Sequence, residues 1–90
     1  LPQQFDGRID AVIQKAAEKK TLYVQAVKMR ENEKNIIIRL SEQDGTRGKL
    51  VLPFAVQPVN LLEDSEGERT DVIVYHPFEL VSFAIPVLPE

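Results

Sequence analysis

Three consecutive isoleucines, Ile36-Ile37-Ile38, lie in a stretch from Asn35 to Ser41 that reads as a strand. Successive side chains of a strand point to opposite faces, so a triplet cannot present one apolar face and one wet one. Both faces must be covered. Such a strand belongs in the middle of a packed β-structure, and the rest of the chain has to supply its cover.

The flanking sequence supplies candidates on both sides. Residues 1–5 form a lead-in that Pro2 keeps irregular, and Asp6 is placed to cap a helix. Ile9, Val12, Ile13, Ala16 and Ala17 then recur at helical spacing, which predicts a helix over 8–19 with one apolar stripe. Lys19 suits the negative end of that helix. From Thr21 the period changes to two. Leu22, Val24, Ala26 and Lys28 alternate with Tyr23, Gln25, Val27 and Met29, predicting a strand over 21–30. A polar link, Glu31-Asn32-Glu33-Lys34, joins it as a hairpin to the isoleucine strand.

Asp44-Gly45 is the clearest turn, because glycine accepts positive φ without steric cost. Further strands are expected over 49–54, 59–63, 71–76 and 78–85, bounded by Pro53, Pro58, Pro77 and a polar loop over 64–70. In the last, Phe78, Leu80 and Ser82 fall on one face and Glu79, Val81, Phe83 and Ile85 on the other. The sum is a mainly β fold, a small antiparallel β-sandwich of about six strands with one N-terminal helix. Residues 1–20 are expected to be a helical lead-in and 21–90 the β-sandwich domain.

Ninety residues make one domain with a thin stability margin. Net charge is −3 and the only adjacent basic pair is Lys19-Lys20, so no electropositive groove for nucleic acid is expected. No apolar run approaches the ~20 residues of a membrane-spanning helix. The chain has no cysteine, which excludes disulfides and thiolate metal sites; with no signal-peptide pattern, this suits a cytoplasmic setting. An opening at Leu1 rather than Met suggests a piece of a longer polypeptide.

Chemistry-bearing residues do not converge. His76 is the sole histidine, and a metal site needs three or four ligands, so it reads as a surface residue at a strand end. Glu63, Asp64, Glu66 and Glu68 read as a solvated loop, since nothing beside them would desolvate one member as a catalytic acid. Gly45-Thr46-Arg47-Gly48 lacks the spacing of a phosphate loop. Tyr23, Tyr75, Phe78 and Phe83 sit at alternating positions and read as core rather than as a sugar-stacking platform. Arg39 interrupts an apolar strand and is expected to sit at an edge or to pair with a carboxylate, with Glu42, Glu63 and Glu79 as candidates. The sequence therefore offers no catalytic, cofactor-binding or metal-ligating residue. Arg39, Glu42, Glu63, Phe78 and Glu79 are its structural candidates.

Four short motifs in order add a resemblance. Ala26-Val27-Lys28, Arg39-Leu40-Ser41-Glu42, Leu61-Leu62-Glu63 and Pro77-Phe78-Glu79-Leu80, with a glycine turn after the second, resemble the C-terminal β-sandwich of glycoside hydrolase family 38, the α-mannosidases. Ser41 departs from the pattern, which usually has an aromatic residue there, and the N-terminal helix has no counterpart. The resemblance implies a zinc-dependent parent enzyme whose metal, His and Asp ligands and nucleophilic Asp lie in a separate N-terminal domain. It implies that this segment is non-catalytic and packs against the preceding domains of its own polypeptide. Mannose-containing glycans are a second candidate partner, and a stand-alone carbohydrate-binding or protein-interaction β-domain is the alternative reading.

Overall fold

The computed structural model describes residues 7–29, 35–62 and 64–86. One helix, α1 (Arg8–Lys19), precedes five strands: β1 (Leu22–Met29), β2 (Asn35–Glu42), β3 (Gly48–Val59), β4 (Thr70–Tyr75) and β5 (Leu80–Pro86). The strands run in the order β1-β2-β5-β3-β4, and every pairing is antiparallel. The helix has the expected bounds. Gly7 occupies its N-cap position without a side-chain cap; the expected cap, Asp6, lies outside the described residues.

The mainly β architecture is as expected, with five strands in place of six. The expected strands over 49–54 and 59–63 are replaced by one long β3. Two prolines inside β3 are tolerated for separate reasons. Pro53 falls in the gap between Val51 and Val56, where the register with β4 shifts and no ladder hydrogen bond is needed from its nitrogen. Pro58 faces away from β5, and its carbonyl accepts the Glu66 N–H at 2.9 Å. After Val59 the chain turns instead of extending. The Asn60 Oδ1 accepts the N–H groups of Leu62 at 2.9 Å and Asp64 at 3.0 Å, a local turn that competes with a strand.

This long strand makes the two layers. Its first half pairs with β4, from Gly48↔Tyr75 to Val51↔Val72. Its last residues, Gln57 to Val59, pair with Ala84 to Ser82 of β5. Thus β3 leads from the β3–β4 ribbon into the β1–β2–β5 sheet, and the turn after β2 is a crossing between layers and not a hairpin. Leu50, Leu52, Val56, Ile73 and Tyr75 of the ribbon enclose one core with Ile36, Ile38, Leu40, Phe83 and Ile85 of the sheet. Val12 and Ala16 of α1 belong to the same core. Ile37 points the other way and is buried with Val59 and Ala84. The isoleucine triplet is therefore covered on both faces, by two different sets of residues.

β1 departs from simple alternation. Its register with β2 shifts between Val24 and Ala26, a bulge that leaves most of the strand exposed. β1 and β2 pair as the expected hairpin; the polar link between them lies outside the described residues. Arg8 Nη2 donates to the Pro86 carbonyl at 2.6 Å, tying the start of α1 to the end of β5.

Phe83 is fully buried at the centre of this core. Truncating it to alanine should cost about 3–5 kcal/mol in urea denaturation, while Val51→Ala on the exposed side of β3 should stay within about 0.5 kcal/mol.

Candidate functional site

The most organised polar constellation is built around Glu42, the last residue of β2. Its side chain is 1 % exposed. A buried carboxylate is costly unless its oxygens are satisfied, and these are. Oε1 accepts the Gly45 N–H at 2.8 Å and the Phe78 N–H at 2.7 Å. Oε2 accepts the Asp44 N–H at 3.1 Å, the Thr46 N–H at 3.0 Å and the Thr46 hydroxyl at 2.8 Å. Burial by itself would raise the Glu42 pKa. The backbone N–H of Phe78, both donors of Thr46 and the N–H of Gly45 outweigh it and hold the carboxyl at about 2, against an ordinary 4.5.

The carboxylate thereby clamps two turns together. The first follows β2, where Gly45 takes φ +80°. The second is His76-Pro77-Phe78-Glu79, closed by the Glu79 N–H on the His76 carbonyl at 3.1 Å. Phe78 occupies a position that favours glycine, at φ +59°. This turn is why β5 begins at Leu80 and not at Phe78 as expected. The Phe78 ring lies over Gly45, where an added Cβ would come within 3.0 Å of it. The start of β1 joins the same tip. The Thr21 carbonyl accepts the Gln43 N–H at 3.0 Å, and its Oγ1 lies 3.3 Å from that of Thr46.

The other sequence candidates are dispersed. Half-buried Arg39 donates from Nε to Ser82 Oγ at 3.1 Å; none of the described carboxylates is its partner. Glu79 Oε1 accepts the His76 N–H at 2.9 Å and sits 3.0 Å from His76 Nδ1, on an exposed corner. Glu63 lies outside the described residues. Tyr75 and Phe83 are core residues, whereas Tyr23 and Phe78 are exposed, so the four aromatics form no common platform. The described residues contain no group of three His, Cys, Asp or Glu that could hold a metal ion. The zinc expected of the family has no fitting ligand set among them.

Sequence reasoning missed a groove of mixed polar and apolar lining between β4, the start of β5 and the Asn60 turn. Its volume is about 360 Å³. Val59, Ile73 and Val81 line its depth, Leu61, Val74 and Leu80 stand exposed around it, and Glu66 and Glu79 supply charge. The one legible signal was Leu61-Leu62 directly after a turn-forming Asn60.

The family model for the glycosyl hydrolases family 38 C-terminal beta sandwich domain matches residues 21–83. The chain belongs to that family. The match starts after α1, leaving the helix outside it. No curated protein and no solved structure matches the chain.

Replacing Glu42 by glutamine turns one acceptor into a donor facing backbone N–H groups, so the urea midpoint should fall at neutral pH. The folded-state pKa lies below the unfolded one. The stabilisation from Glu42 is therefore complete above about pH 4.5 and disappears as pH falls through about 2. The stability gap between the parent chain and Glu42→Gln should narrow over that window; a gap that stays constant would show that ionised Glu42 does not hold the tip. Glu42→Gly should be partly restored by millimolar formate, read as a rise in Tm.

Proposed function

We propose that this chain is the non-catalytic C-terminal β-sandwich of an α-mannosidase and helps fix the architecture around a catalytic domain elsewhere in the polypeptide. The family match over residues 21–83 carries the reading. The fate of the carboxylates supports it. Glu42, the one held most firmly, spends both oxygens on backbone donors and hydroxyl and has no lone pair aimed at open solvent. Glu79 is engaged by His76. Zinc, in this reading, is held by the catalytic domain. The alternative of a sugar-binding face has less support, because stacking platforms need several exposed aromatics on one surface.

The test is hydrolysis of 4-nitrophenyl α-mannoside. The 90-residue chain alone should release no nitrophenol above buffer, and the full-length hydrolase should act on the α-mannoside and lose that activity to a zinc chelator. Turnover by the isolated chain would sink the non-catalytic reading, and a full-length enzyme that ignores α-mannosides would sink the substrate assignment.

A further inference from the structure

The groove beside β5 has an open strand edge. Pairing of β5 with β2 continues to Ser41↔Leu80, but its pairing with β3 stops at Val59↔Ser82, where the chain turns aside at Asn60. Backbone polar groups alternate sides along an antiparallel strand. The Glu79 carbonyl accepts the Glu42 N–H on the β2 side. The N–H and C=O of Leu80 therefore face the opposite way, towards the groove, with no strand beside them. Leu61, Val74 and Leu80 flank this edge at 62 %, 51 % and 45 % exposure. The described lining carries two carboxylates, Glu66 and Glu79, and no lysine or arginine.

An unpaired edge flanked by exposed apolar side chains and a negative rim is suited to strand addition. Its complement is an extended segment that alternates apolar and cationic side chains. We infer that the groove seats such a segment from the part of the glycosyl hydrolase polypeptide outside these 90 residues, an assignment that rests on the proposed domain role. Two arguments favour that source over a free partner. A C-terminal domain of a hydrolase shares its chain with the remainder of the enzyme. Tethering raises the effective concentration of a partner, so a shallow groove and one short edge suffice.

The first experiment follows the ¹⁵N NMR spectrum of the 90-residue chain with two probes, acetyl-Val-Lys-Val-Lys-Val-amide and acetyl-Val-Glu-Val-Glu-Val-amide. The amides of Val74, Leu80 and Val81 should shift, with the lysine peptide bound about tenfold more tightly. Glu66→Lys, which leaves one carboxylate and one ammonium in the lining, should remove that preference; Glu66 contributes only its backbone N–H to the described contacts of the fold. The second experiment compares hydrogen exchange at the Leu80 amide, which should be fast in the isolated chain and slow in the full-length hydrolase. No shift with either peptide, equal affinities of the two peptides for the unsubstituted chain, or equal exchange in the two proteins would overturn the inference. A sedimenting dimer of the isolated chain with a protected Leu80 amide would also overturn it, assigning the groove to a second copy. The mannoside assay reads substrate and these measurements read docking, so each reading can fail without the other.

Discussion

One carboxylate joins two turns of this chain that are far apart in sequence, and the tip it builds holds a third part. Glu42 receives N–H groups from its own turn and from Phe78, 36 residues later, and the same tip holds the entry to β1 through Thr21. The geometry resembles the concave arrays of backbone N–H groups that bind free anions, except that the anion is a side chain of the protein. This solves a problem built into the topology. β2 and β3 belong to different layers, as do β4 and β5, so neither connection can rely on a hairpin ladder to fix it. The Glu42 carboxylate supplies the missing restraint for both connections at one end of the sandwich.

The opposite device is found along β3, where hydrogen bonds are withheld. A strand shared by two layers must leave one partner before it joins the other. Pro53 lies where the ladder with β4 shifts, and Pro58 turns its carbonyl towards Glu66 while its neighbours Gln57 and Val59 pair with β5. A residue with no N–H can occupy such positions without leaving an orphaned donor. The strand change in turn creates the open edge at Leu80, so the groove is a direct product of how the two layers are connected.

Much of this was legible in the sequence. The helical stripe from Ile9 to Ala17 and the isoleucine triplet are strong periodic signals, and both produced the expected elements. The misreadings have local causes. Pro53 and Pro58 normally terminate strands, and only the switch of partner in three dimensions shows why they do not here. Leu61 and Leu62 look like strand residues until the Asn60 side chain captures the backbone. Phe78 reads as a strand residue because it continues the alternation of residues 78–85, but its N–H is bound by the Glu42 carboxylate and it sits at positive φ. Glu42 itself was a candidate for an ion pair with Arg39, since sequence displays charge and not the backbone N–H groups that meet it. The order of short motifs revealed the family, although no single one of them would have done so.

The bond from Arg8 to the Pro86 carbonyl brings the first turn of the helix and the last strand to one corner. Both ends of the folded unit therefore leave from the same place. Tension applied along the polypeptide would load the Arg8–Pro86 bond first and then peel α1 from β3 and β1, the strands it packs on. It would not shear the sheet along its strands, where many hydrogen bonds resist together. A fold arranged in this way yields first at the corner where Arg8 meets Pro86.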